Sequence, residues 1–256
     1  MSRIIAFVNQ KGGVGKTTTA VNVAAYLALA KKKVLLVDID PQANATSGLG
    51  INPRQLDRGI YDVLIGDQDL RNSIFQTEIR NLHVAPSTIS LAGASVELVN
   101  VENREFKLDV ALTSVQHYYD YVIIDCPPSL GLLTVNALVG AREVIIPVQC
   151  EYYALEGLSQ LLETIDLIRT NLQPELTVTG AVVTMLDKRN KLSSEVVQEM
   201  REHFPHHIFS SMIPRNVKLA EAPSHGKPVV LYDKRSKGAR AYEKLSEEIS
   251  AQDLES

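Results

Sequence analysis

The octapeptide Lys11-Gly12-Gly13-Val14-Gly15-Lys16-Thr17-Thr18, two residues beyond the apolar run 4–8, constrains this chain more than any other segment. Residues 16–30 are rich in alanine and leucine and contain neither glycine nor proline, so they read as a helix. An apolar strand, a glycine-rich turn and a helix opening on Lys-Thr together describe a phosphate-binding loop. Gly12, Gly13 and Gly15 lack a Cβ, so the backbone there reaches positive φ and approaches a ligand closely. With Val14 and Thr18 they turn consecutive N–H groups toward an anion, at a helix N-terminus that already favours negative charge. Lys16 is the point charge for the outer phosphates, and Thr17 offers its hydroxyl to Mg²⁺. One departure stands out. The usual pattern G-x-x-x-x-G-K-[ST] begins with glycine, but Gln10 occupies that place and a second lysine, Lys11, follows it.

Apolar runs at 4–8, 34–37, 82–85, 121–124, 144–148, 178–184 and, more weakly, 208–212 read as strands. Helical stretches at 16–30, 106–118, 155–171, 193–203 and about 238–250 lie between or after them. Continuously apolar strands alternating with helices predict an α/β fold. The expected architecture is a single domain over 1–256, with a mainly parallel twisted sheet covered by helices on both faces. Ligands of such sheets bind beyond the carboxyl ends of the strands, where this loop, Asp38, Asp40 and Asp125 all fall.

Asp125 closes an apolar run and can hold Mg²⁺ beside Thr17. It also suits a strand-end turn before Pro127-Pro128. Asp38 and Asp40 bracket Ile39 and so face the same way. Asp40 equally suits a turn before Pro41, and Lys11 a solvated loop lysine. Cys126 and Cys150 lack C-x-x-C spacing, which argues for free thiols over a metal knot or a disulfide framework. No apolar run approaches the ~20 residues that span a bilayer, and the segment before the first strand lacks signal-peptide character.

These motifs resemble the deviant-Walker phosphate-loop ATPases, and within them the ParA/Soj partition ATPases. Residues 9–18 match the phosphate loop, 38–44 the first switch, and 121–129 the Walker B strand with the second switch. Segments 147–157 and 214–226 match the ParA/Soj branch more narrowly. The resemblance implies ATP and Mg²⁺ as cofactors and slow ATP hydrolysis. It implies that Asp38 organises the Mg²⁺ water shell and that Asp40 orients or activates the attacking water, with Gln42 and Asn44 in the same switch. It gives Pro214 and Asn216 to the adenine. It makes Lys11 a finger that crosses a dimer interface to the partner's nucleotide, so that the chain dimerises on ATP.

Net charge is −4, but it is uneven: residues 181–242 hold 11 Lys/Arg against 6 Asp/Glu. Lys188, Arg189 and Lys191 form one basic cluster, Arg215 and Lys218 a second, and Lys227, Lys234, Arg235, Lys237 and Arg240 a third. On residues alone these also fit solvated surface charge. The resemblance implies a DNA-facing region at about 186–240, with Lys188, Arg189, Lys218, Lys234 and Arg235 on phosphates of non-specific double-stranded DNA. It further implies a ParB-type centromere-binding partner and a cytoplasmic, nucleoid-associated protein. No helix-turn-helix precedes the first strand, so operator-specific repression is not expected. A MinD-like membrane-positioning ATPase is the alternative, but residues 242–256 are acidic where such an anchor needs basic residues. An iron–sulfur reductase would need bridging cysteines, and a nucleotide-gated scaffold would lack the carboxylates present here.

Overall fold

The computed structural model describes residues 2–66, 68–151, 154–187 and 189–254 of the 256. In chain order the elements are β1 (Arg3–Phe7), α1 (Lys16–Leu29), β2 (Val34–Asp38), α2 (Asn44–Gly48), α3 (Ile60–Leu64), β3 (Phe75–Gln76) and β4 (Leu82–Ala85). Then come α4 (Leu91–Glu97), α5 (Lys107–Thr113), β5 (Tyr121–Asp125), α6 (Leu132–Gly140), β6 (Glu143–Gln149) and α7 (Ala154–Asn171). The chain closes with β7 (Thr177–Thr184), α8 (Lys191–His203), α9 (Val217–Glu221), α10 (Val229–Asp233) and α11 (Lys237–Ala251). The seven strands form one sheet in the order β3-β4-β2-β5-β1-β6-β7. Every pairing is parallel except β3 with β4.

Strand alternation explains the two-faced burial. Ile4, Ala6, Leu35, Val37, Val122 and Ile124 pack on one face with α3 to α8. Ile5, Phe7, Val34, Leu36, Tyr121 and Ile123 pack on the other, with α1 and α11. Leu245 and Ile249 of α11 are fully buried there, each contributing roughly 1.5–3 kcal/mol. The same parity turns Asp38 and Asp125, at the ends of β2 and β5, toward the α1 side. β1 and β5 are neighbours, yet β1 continues into α1 on one face and β5 into α6 on the other. That divergence opens a crevice at their carboxyl ends.

The structure departs from the sequence expectation in three places. Residues 208–212 make no strand; an isolated bridge pairs Ile208 with Ala181 of β7, and the Phe209 N–H donates to the Ala181 carbonyl at 3.0 Å. The Glu248 carboxylate on α11 takes the backbone N–H groups of Ser210 and Ser211 at 2.7 and 3.0 Å, so the Ser211 N–H does not follow that of Phe209 onto β7. Helix 106–118 is divided into α5 and flanking single turns. β3 is a two-residue antiparallel edge without a sequence signal. At the far side of α2, Gly50 (φ 82°) touches Gly226 (φ 63°), where an added Cβ on Gly226 would lie 2.9 Å from the Gly50 Cα. Gly226→Ala is therefore expected to cost about 1–3 kcal/mol in a denaturant titration; an unchanged midpoint would show that the contact relaxes freely.

Candidate active site

The phosphate loop is preshaped by its own bonds. Gly13 and Gly15 hold φ of 75° and 88°, and Gly15 caps α1. Asn9 accepts the Lys11 N–H at 2.9 Å and donates to the Pro147 carbonyl at 2.7 Å, fixing the loop to β6. The Thr184 hydroxyl donates to the Val14 carbonyl at 2.7 Å, fixing it to β7. Lys16 is only 6% exposed, and its Nζ lies 3.3 Å from the Lys11 carbonyl inside the loop. Burial lowers its pKa, while Asp125 and Asp40 work the other way.

Three carboxylates crowd this loop. Asp38 and Asp125 are register partners in adjacent strands, and both are fully buried. Asp38 is saturated from within: Oδ1 accepts the Asp40 N–H at 3.2 Å, and Oδ2 accepts the Thr46 N–H and hydroxyl at 2.8 and 2.7 Å. Burial still pushes its pKa up to about 6. Asp125 is the opposite case. Neither of its oxygens has a hydrogen bond of ordinary geometry. Burial, then the Asp38 charge, pushes its pKa well above the carboxylate range, with Thr17 and Lys16 opposing. Asp40 is 5% exposed, its Oδ1 accepts the Gln42 N–H at 2.9 Å, and burial raises its pKa too.

A buried carboxylate with two orphaned oxygens, beside a threonine and a second carboxylate, suits a hard divalent cation. The donor set therefore fits Mg²⁺, which Thr17 and Asp125 would hold with Asp38 alongside. Without a cation Asp125 is a liability, because its raised pKa makes ionisation cost stability as pH rises. Asp125→Asn should raise the melting temperature of the nucleotide-free protein by about 2–4 °C. That gain should grow from pH 6 to pH 8 and reverse when Mg²⁺ and nucleotide are added. Scanning fluorimetry checks the sign; a destabilised, pH-independent variant would contradict the liability.

Lys11 does not join this cluster. Its ammonium pairs with Glu151, both side chains being nearly half exposed, and Gln149 holds the other Glu151 oxygen at 2.6 Å. Beside the loop, a cavity of about 320 Å³ is lined by Gly15, Thr18, Thr184, Met185, Pro214 and Asn216, among others. Pro214 and Asn216 thus fall together beside the phosphate loop. Asn216 also caps α9 through the Lys218 N–H at 3.0 Å, and Met185 has φ 52°, a strained value for a side-chain-bearing residue.

The basic residues are placed less uniformly. Arg189 is 91% exposed and pairs with Asp187 at 3.2 Å. Lys218 pairs with Glu221 at 2.8 Å and sits over the Tyr232 ring. Lys234 and Arg235 are exposed after α10. Lys188 lies outside the described residues. Sequence reasoning missed the site's supporting bonds, from Asn9, Thr184 and above all Thr46. A hydroxyl eight residues beyond Asp38 carries no motif to mark it.

Comparison with known proteins agrees with this geometry. Residues 2–178 match the family model described as AAA domain. The sporulation initiation inhibitor protein Soj of Bacillus subtilis is 55% identical over 98% of this chain and 99% of its own length. The chromosome partitioning protein ParA of Myxococcus xanthus is 53% identical over 99% of this chain and 89% of its own. Among solved structures, the Mycobacterium smegmatis protein described as cobyrinic acid a,c-diamide synthase, with bound ATP analogue and magnesium, superposes with a TM-score of 0.85. It is 36% identical and covers 96% of this chain and 93% of its own. With a preshaped phosphate loop, a carboxylate cluster behind it and half of all residues shared with Soj and ParA, the chain belongs to the Soj/ParA family of chromosome-partitioning ATPases.

Proposed function

We propose that this chain binds Mg·ATP, dimerises on it, binds DNA non-specifically as that dimer, and lets go when a ParB-type partner stimulates slow hydrolysis. The observation that carries the proposal is the unpartnered, fully buried Asp125 carboxylate behind a loop whose Lys16 is already inside it. Lys16 meets the outer phosphates by exchanging the Lys11 carbonyl for a phosphate oxygen. Thr17 and Asp125 would hold Mg²⁺, which would supply positive charge against the phosphates. Asp40 orients the attacking water, and its burial keeps that carboxylate in one position. Phosphoryl transfer needs chiefly positioning and charge neutralisation, which suits so sparse a set of groups.

DNA binding rests on the basic excess of residues 181–242. In one copy, Arg189 and Lys218 each face a neighbouring acid. Exposed pairs of this kind are worth at most about 1 kcal/mol, so a phosphate readily competes for the cation. A dimer presents the patch twice, which couples affinity to nucleotide state. A mobility shift with ADP, ATP and an ATP analogue should show DNA binding only with the triphosphates. Log K should fall against log salt with a slope of about −0.9 per phosphate neutralised. Binding that ignores both nucleotide and salt would refute the proposal.

The MinD-like reading finds no support in α11. Its apolar residues Tyr242, Leu245 and Ile249 are already buried against α1 and the sheet. Among the described residues no helix is long and apolar enough to cross a membrane. Flotation with anionic vesicles should leave the protein at the bottom of the gradient.

A further inference from the structure

The Asp38–Thr46 contact closes the first switch into a ring. At one end Asp38 Oδ1 takes the Asp40 N–H, and at the other Oδ2 takes both donors of Thr46. The Thr46 hydroxyl is fully buried and does double duty: it donates to Asp38 and accepts the Ser87 N–H at 3.0 Å from the loop after β4. Inside the ring, the Asp40 carbonyl accepts the Ala43 N–H at 2.9 Å, and the Asp40 carboxylate accepts the Gln42 N–H at 2.9 Å. Ala43 itself sits at φ 53°, a conformation an alanine adopts only when its surroundings impose it. Ile39, between the two aspartates, bonds to the Asp125 carbonyl at 3.1 Å.

We infer that Thr46 is a positioning residue for ATP hydrolysis: its hydroxyl locks the Asp38 carboxylate in the orientation that holds the Asp40 backbone, and so fixes where the Asp40 carboxylate stands. Thr46 needs no contact with nucleotide to do this. Without the hydroxyl, Asp38 Oδ2 keeps one donor of two and the Ser87 N–H loses its acceptor in a fully buried place. Asp38 is then held by two backbone donors alone, and any turn of its carboxylate carries the Asp40 N–H with it. Displacement of a reacting group by about 1 Å costs on the order of a hundredfold in rate, whereas the phosphate loop is held by Asn9 and Thr184 and is unaffected. The inference rests on the reading of Asp40 as the hydrolytic carboxylate.

The test compares wild type, Thr46→Val, Thr46→Cys, Thr46→Ser and Asp40→Ala by phosphate release, fluorescent ATP affinity and melting temperature. Valine keeps the shape and loses the hydroxyl; if valine prevents folding, cysteine removes the hydroxyl and the methyl and leaves only a weak S–H donor. The expected result is a ten- to hundredfold fall in kcat for valine or cysteine, with ATP affinity within about threefold of wild type. Serine should restore kcat to within about threefold. Wild-type turnover in Thr46→Val or Thr46→Cys, beside an inactive Asp40→Ala, would overturn the role of Thr46. Equal losses of affinity and kcat, or failure of serine to rescue, would reduce Thr46 to a folding residue and overturn it as well. An Asp40→Ala protein that still turns over would instead remove the Asp40 reading on which the inference stands.

Discussion

Asp40→Ala should cut ATP turnover by about 10²–10³-fold while leaving nucleotide affinity within a few-fold of wild type. The separation follows from position. Lys16, the loop N–H groups and the Asp125 side all lie on α1, the loop and β5, whereas Asp40 lies on the segment after β2. Burial makes the Asp40 charge costly, with Lys16 partly offsetting that cost, so removing it should not unfold the protein. Alanine does leave the Gln42 N–H without its acceptor. Asp40→Asn preserves an oxygen there and removes only the charge, and it should lose turnover just as severely. In the proposed cycle both variants persist as ATP dimers on DNA, giving a mobility shift that outlasts ATP depletion. Asparagine with wild-type turnover would assign water activation to another group.

Lys11→Ala is the second large effect. It should bind ATP within a few-fold of wild type, remain monomeric in its presence, and fail to shift DNA. Losing the Glu151 ion pair cannot account for this. Both partners are nearly half exposed, and such pairs contribute about 0–1 kcal/mol, so folding should be unchanged. If Lys11 served only its own nucleotide, ATP affinity would fall together with dimerisation, and the two readouts separate the cases. In a dimer, the ammonium would leave Glu151 and neutralise charge on the partner's phosphates. Arginine at this position should not substitute fully, because a planar fork does not occupy the place of a compact ammonium.

Much of this was legible in the sequence, for physical reasons. Strands buried on both faces are apolar throughout, so six of the seven among the described residues could be located, from 4–8 to 178–184. The phosphate loop announces itself because glycine, lysine and threonine are each needed at fixed spacing. Asp38, Asp40 and Asp125 were visible because a carboxylate ending an apolar run is conspicuous. What escaped depends on distant partners. Residues 208–212 have strand character, but Glu248, 37 residues away from Ser211, takes the Ser211 N–H that continuing the ladder on β7 would need. Thr46 is an unremarkable threonine until the fold brings it to Asp38. The Lys11 partner Glu151 stands 140 residues along the chain. The basic residues are visible as an excess, but which of them face acids is decided by α9 and by the turn at Asp187.

The central claim is that nucleotide is the bond between two copies, and light scattering on the wild-type protein tests it most directly. With ADP or no nucleotide the account predicts the mass of one chain. With a non-hydrolysable ATP analogue and Mg²⁺ it predicts twice that mass, reverting to one chain in Lys11→Ala. A wild-type protein that stays monomeric with saturating analogue, or that is dimeric regardless of nucleotide, would contradict it.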